Sequence, residues 1–394
     1  MARRFVKLGF LIAITLVLIC PFVMIDSAKA QTSKEPYLSG GPYSLTGKFS
    51  VFGVGNQEGI VYATMKVNEK GGIHGRPVKV IFYDDGGDVT KGQMNLRRLI
   101  ESDKVHFLLG PGTSGVSIAA IPTIQKAEIP TIVPSSATEI TQPPKKWVFQ
   151  CTTPSEYMHD EIMTHCKHEG ITRVGMLSET SYLGQSMEKM AREWVPKFGI
   201  TIVAAEKFGD EDVDMTSQLT KIKAANPQAL WLFGIGRASG PIALKNARML
   251  GFKTIYLRDW HSYTTLELAG SAAEGVLHPG TRVIVGDTLP DTDPHKVAIR
   301  SFTEGYYKVF GKKADVYSAN SYDGTMMMYQ AVERSGTEFP PNRAKVRDEI
   351  EKTKDYFGVF CTGSGSPTKH NLVDRDSIIM TTVKNGKWVY LPWR

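Results

Sequence analysis

The chain has 394 residues, enough for two or three packed units, and its 42% hydrophobic and 22% charged residues exclude a disordered chain. The net charge is +7, but Arg3, Arg4, Lys7 and Lys29 against Asp26 carry part of it, leaving 43 basic and 39 acidic residues beyond residue 30. So weak an excess, with no basic run, excludes nucleic acid as a partner.

Residues 1–7 are basic, residues 8–25 carry no charge until Asp26, and Ser27-Ala28-Lys29-Ala30 places small residues where a signal peptidase reads. That order predicts a signal peptide over 1–30, cleaved after Ala30, and a mature protein in the periplasm. An uncleaved anchor is the rival reading, because the apolar run is nearly long enough to span a bilayer. A lipoprotein at Cys20 is disfavoured by the bulky Ile19 before it. Beyond residue 30, Cys151, Cys166 and Cys361 allow at most one disulfide, and no pair has the CxxC spacing of zinc or redox sites.

From there strands and helices alternate. Strand 77–85 ends in acids and precedes an amphipathic helix at 90–102; strand 105–109, helix 114–127 and strand 131–133 follow. After Pro143-Pro144 and a short strand at 147–150 the alternation restarts: helix 156–168, strand 172–177, helix 185–198, strand 201–205, helix 215–224, strand 229–233, helix 239–250 and strand 254–257. The tail carries helices at 294–310, 318–334 and 342–352, then a hairpin of 378–383 with 387–391 around Asn385-Gly386. Alternation of this kind predicts an α/β protein of two doubly wound, Rossmann-like lobes, because parallel strands need long crossovers. Ligands of such sheets bind where strand ends meet helix starts, so the loops at 41–50, 110–114, 134–138, 178–185, 234–239 and 258–264 are the expected site.

Gly110-Pro111-Gly112-Thr113-Ser114-Gly115 fits GxGxxG, but it follows the third strand and lacks the acid a dinucleotide site needs at the next strand end. It reads better as an anion seat for a carboxylate, made by the Ser114 hydroxyl and the open N–H groups of the helix start. Ser135, Ser136 and Thr138, after the neighbouring strand, stand beside it. Phe52, Tyr182 and Trp260 fall at the same loops, near Arg237 and His261, as a site for a flat anion would require. His159, Glu161, His165 and His168 have metal-like spacing, yet they read as a solvated helix face opposite Met158, Ile162 and Cys166. Asp84, Asp85 and Asp88 read as caps and local hydrogen bonders. No serine lies in GxSxG and no acid–base–nucleophile set is visible, so neither enzyme activity, a cofactor nor a metal is expected.

Several strings carry a family resemblance: Val67-Asn68-Glu69-Lys70-Gly71-Gly72-Ile73-His74-Gly75-Arg76, Val80 to Asp85, Leu109 to Gly115, Ile129 to Thr138, Tyr182-Leu183-Gly184-Gln185-Ser186, Ala247 to Lys253 and Ala272 to Val276. In this order they resemble the periplasmic branched-chain amino-acid-binding proteins of ABC importers, over nearly the whole chain beyond the leader. The resemblance implies the type I periplasmic binding protein fold, two lobes joined by three crossovers near Thr152, Thr281 and Gly336. Lobe 1 would then be 31–152 plus 282–336, and lobe 2 would be 153–281 plus 337–394. It implies a ligand carboxylate held by Thr113-Ser114 and the Ser135–Thr138 loop, and a ligand side chain packed against Phe52, Tyr182 and Leu183. At the position of the acid that neutralises an amino-acid ammonium this chain has Trp260, with Asp259 one residue away. An ammonium buried without a counter-charge is costly. The expected ligand is therefore an aromatic or short organic carboxylate, its ring between Phe52, Tyr182 and Trp260 and its distal group at Arg237 or His261. The partners implied are a membrane permease and its ATPase, with the protein a monomer. An amino-acid ligand, or a periplasmic sensor on the same fold, are the alternatives.

Overall fold

The computed structural model describes residues 34–209, 211–234, 239–258 and 263–394. In chain order the first half contains β1 (Tyr37–Tyr43), α1 (Ser50–Glu69), β2 (Val78–Asp84), α2 (Val89–Arg97), β3 (Phe107–Leu109), α3 (Ser114–Ala127), β4 (Thr131–Val133) and β5 (Val148–Gln150). The second half continues with α4 (Ser155–His168), β6 (Arg173–Glu179), α5 (Tyr182–Trp194), β7 (Thr201–Phe208), α6 (Thr216–Ala224), β8 (Ala229–Phe233), α7 (Ser239–Met249), β9 (Ile255–Arg258), α8 (Tyr263–Ala269) and β10 (Leu277–Thr281). The tail adds α9 (His295–Phe310), α10 (Val316–Arg334), α11 (Arg343–Glu351), β11 (Tyr356–Phe357), β12 (Thr362–Gly363), β13 (Ile378–Lys384) and β14 (Lys387–Tyr390).

Two parallel sheets organise these elements. The first runs β2-β1-β3-β4-β5 and the second runs β14-β13-β10-β9-β8-β6-β7, with β13 and β14 antiparallel at its edge. Within the second, the order β7-β6-β8-β9-β10 repeats the first sheet's pattern, so each sheet has one point where the strand order reverses: beside β1 and β3, and beside β6 and β8. Crevices for ligands open at such points. Separate apolar cores fill the layers: Leu96, Leu108, Ile124 and Val133 behind the first sheet, and Ile162, Val174, Trp231 and Tyr256 behind the second. The closing hairpin forms as expected, with Asn385 at φ 53° and Gly386 at φ 69°.

Helices α1 and α10 pack face to face, and a glycine sets their separation. A Cβ at Gly59 would stand 2.1 Å from the Ser318 carbonyl oxygen, so no other residue allows this approach. Thr64 and Tyr329 join the pair further along with a 2.7 Å hydroxyl–hydroxyl bond.

Gly336 does not mark the third passage between the sheets. Beyond it α11 still belongs to the first lobe, where the Arg343 guanidinium donates to the carbonyls of Ala127 (2.9 Å) and Val105 (3.0 Å). The chain leaves later, beside the first passage: Gln150 exchanges 2.8 Å backbone bonds with His370 and Leu372, and β13 then enters the second sheet.

Helix α4 also differs from its sequence reading. His159, Glu161 and His165 are buried, not solvated: His159 meets the Ser155 and Met187 carbonyls (2.8 and 3.0 Å), and the last residues of the chain fold over the other two. Glu161 accepts from Arg375 (2.7 Å), Arg394 (2.8 Å) and the Trp393 indole (3.0 Å), and His165 Nδ1 meets the Tyr256 hydroxyl at 2.8 Å. These polar groups are thus spent inside the fold, and of the four residues only His168 is exposed. The aspartates after β2 behave as read: Asp88 caps α2 through the Lys91 amide (2.7 Å), and Asp85 accepts from Ser44 (2.7 Å) and the Gly87 amide (2.8 Å).

Candidate ligand-binding cleft

A cleft of about 410 Å³ opens at the carboxyl ends of both sheets. The first lobe supplies Phe49, Phe52 and Asn56 after β1, the loop from Gly112 to Val116 after β3, Pro134 to Ser136 after β4, and Tyr317 and Asn320 from α10. The second lobe supplies Thr180, Ser181, Tyr182 and Leu183 after β6, while Thr152 and Thr153 come from the passage between them. Both reversal points therefore face one space.

The loop after β3 lies on the ring of Tyr43. At Gly112 a Cβ would come within 2.5 Å of that ring, so the close seating needs glycine. Helix α3 begins at Ser114, and its cap residue Thr113 makes no side-chain capping bond. The N–H groups of the first turn therefore remain open at the positive end of the helix. Ser114 Oγ accepts from the Ala137 amide at 3.3 Å, which leaves its proton free to be donated into the cleft. A carboxylate placed there would meet a hydroxyl and a helix terminus together.

The neighbouring serines differ in role. Ser117 donates to the Pro111 carbonyl (3.1 Å) and lies 2.7 Å from Ser135 Oγ, so with one proton per hydroxyl it is Ser135 that donates in that pair. Ser135 thus ties the two loops together and has no proton for a ligand. Ser136 lines the cleft with its hydroxyl unengaged among the described residues, while its carbonyl accepts from Ser155 at 3.1 Å. The loop is held from behind by Gln150, whose amide donates to the Ser135 (2.7 Å) and Ala137 (2.9 Å) carbonyls. Thr138 is not on the cleft wall. It opens a short 3-10 turn, near Glu156, whose pKa is raised because burial outweighs the charge of Arg258.

Aromatic rings form the opposite boundary. Phe52 packs edge-on against Tyr317 at 4.8 Å between centroids, and Phe49 stands 6.1 Å from Phe52. Tyr182, 45% exposed, projects from the second lobe. Beneath them Asn56 and Asn320 form a buried polar floor joined by Ser321, which donates to Asn56 Oδ1 at 2.8 Å. Among the described residues that line the cleft there is no carboxylate, and the one basic residue is Lys48.

The structure thus brings together Phe52, Thr113, Ser114, Ser135, Ser136 and Tyr182 around one space, and leaves Thr138 behind the wall. Arg237, Trp260 and His261 lie outside the described residues. Tyr317, Asn56, Asn320 and Gln150 were not foreseen. For Tyr317 and Asn320 the only signal was helical spacing on α10, which reads equally well as core; Asn56 lies on α1, whose sequence carries no such spacing.

The sequence matches the model of the periplasmic binding protein family over residues 40–387. It is 22% identical over 300 residues to the Leu/Ile/Val-binding protein homolog 3 of Brucella melitensis, covering 74% of this chain and 77% of the relative. An extracellular ligand-binding receptor from Rhodopseudomonas palustris HaA2 superposes with a TM-score of 0.83 at 23% identity, over 91% of this chain and all of that one. The substrate-binding protein of a branched-chain amino acid transporter from Streptococcus pneumoniae, solved with isoleucine, gives 0.78 at 23% identity, over 91% and 99% of the two chains.

Proposed function

The chain belongs to the periplasmic binding protein family, and from that premise we propose that it captures an aromatic or short organic carboxylate in the cleft and presents it to the permease and ATPase of an ABC importer. Its fold is that of the type I periplasmic binding proteins, and its relatives are solute-binding proteins rather than enzymes. We further read residues 1–30 as an export signal and the mature protein as periplasmic, a reading that rests on the order of basic, apolar and small residues, and we take it to act as a monomer.

The observation that carries the ligand class is the charge pattern of the cleft. A helix start and the Ser114 hydroxyl offer donors to an acid group, rings of Phe52, Tyr317 and Tyr182 border an apolar space, and no carboxylate among the described lining residues meets an ammonium. Ser114 and Ser136 would bind the acid group, with Thr113 shaping the turn; Phe52 and Tyr182 would enclose the ring. Trp260 would complete the sandwich and Arg237 or His261 would meet a distal polar group. An amino acid is the competing ligand, favoured by the names of the relatives, and Asp259 would then have to serve its ammonium.

A thermal-shift screen separates the two. Benzoate-type acids should raise the melting temperature, since a ligand at a hundred times its Kd adds about 2.7 kcal/mol of stability. A shift with leucine, isoleucine or valine and none with aryl acids would reverse the assignment.

A further inference from the structure

Cys151, Cys166 and Cys361 are buried thiols, but their surroundings differ. Cys166 sits in the core behind the second sheet with Ile162, Val174 and Met176, near Tyr256 and Trp231. Cys151 and Cys361 meet at one helix. Both press on the same turn of α10. A Cβ at Gly324 would come 3.0 Å from the Cys151 Cβ and 3.6 Å from its sulfur. Cys361 Sγ is 3.8 Å from Asp323 Oδ2, and the Cys361 amide donates to the same oxygen at 3.1 Å.

These two residues belong to the passages between the lobes. Cys151 directly follows β5 and leads into the first passage; Cys361 directly precedes β12, whose Gly363 bridges to Val373 on the third. We propose that Cys151 and Cys361 form a disulfide that ties the first passage to the third, and that Cys166 remains a thiol. Packing against adjacent residues of one helical turn brings the two cysteines into the neighbourhood such a bond requires, and an extracytoplasmic protein, as read above, meets the oxidising conditions for it.

The reaction is thiol–disulfide exchange with a small or protein disulfide. One cysteine thiolate attacks that disulfide and releases one thiol, and the second thiolate then displaces the other. The two S–H bonds are lost, one S–S bond forms, and two electrons and two protons leave on the reduced partner. Both cysteines are 1% exposed in the fold, so the exchange takes place before folding is complete. Burial first, then the neighbouring Cys151 and Asp323, push the Cys361 thiol far up, so a pair left reduced would stay inert once folded. The bond would act as a staple beside the passages, without touching the cleft.

The full chain is unfolded in denaturant, refolded in a glutathione-disulfide buffer, and alkylated under denaturing conditions without reductant. Peptide mapping then reports each cysteine separately, and its outcome does not depend on export or on the ligand. Cys166 should carry the alkyl label while Cys151 and Cys361 appear as one linked peptide pair that reductant separates. The Cys151→Ala variant should leave Cys361 open to alkylation or glutathione. Alkylation of both Cys151 and Cys361 in the wild type, a separate glutathione adduct on each, or a linked pair that includes Cys166 would overturn the proposal.

Discussion

At the residue scale, the serines of the cleft show why a residue type is not a role. Ser114 and Ser135 have the same hydroxyl and were both read as donors to the ligand, but only Ser114 keeps a proton to give. Ser114→Ala should weaken binding of an aryl carboxylate by about 1–3 kcal/mol, the usual cost of leaving a charged acceptor one donor short. Calorimetry reads this directly, and unchanged affinity would remove Ser114 from the site. Ser135→Ala should act differently, lowering stability through the lost tie to Ser117 and changing affinity less than Ser114→Ala does. The sequence showed where hydroxyls cluster, because strand-to-helix loops can be located from periodicity. It could not show which proton is already engaged, since that depends on the Pro111 carbonyl and on Ser117 standing beside Ser135.

At the element scale, α1 and α10 are the pair that the sequence concealed and the site requires. Helix α1 is rich in glycine and has almost no amphipathic pattern, so periodicity did not reveal it; β1, with Gly40, Gly41 and Pro42 at its centre, was equally faint. The glycines follow from close approach, and the approach is what places Phe52 and Asn56 beside Tyr317 and Asn320. Gly59→Ala should therefore destabilise the fold by about 1–3 kcal/mol through overpacking against Ser318. A urea melt would show it as a lower midpoint with the slope unchanged, and a neutral result would mean that the two helices can separate freely.

Helix α10 also holds the start of the third passage. Asp323, fully buried, accepts from the amides of Val359 (3.2 Å), Phe360 (2.8 Å) and Cys361 (3.1 Å) and from the Tyr356 hydroxyl (3.1 Å). Burial pushes its carboxyl up to about 6 against the lowering effect of these donors, from an ordinary value of 3.8. A raised acid is stabilised by folding in its protonated form. Its contribution is complete below the ordinary value and is lost as pH rises through about 6. Urea midpoints of the wild type minus those of Asp323→Asn should accordingly fall across that window. A flat difference would mean that the four donors hold the carboxylate at its ordinary value.

For the molecule as a whole, the alternation of strands and helices was enough to read two doubly wound lobes, and the repeated strand order explains why one cleft collects loops from both. What escaped was the path of the tail. The helical pattern at 342–352 carries no mark of the sheet it packs on, and nothing in the α4 sequence announces that Trp393 and Arg394 return to cover it. Local periodicity determines elements, whereas the covering of one element by a distant one is decided by which surfaces remain to be buried. The same limit applies to the ligand: loops of both lobes can be located, but the charge balance they enclose emerges only when they meet.

That balance is the central claim, and titration calorimetry on the purified protein tests it most directly. A benzoate-type acid should bind with a one-to-one stoichiometry while leucine produces no measurable heat, because the cleft offers donors to an acid group and no described lining carboxylate to an ammonium. Tight leucine binding with no response to aryl acids would contradict the account.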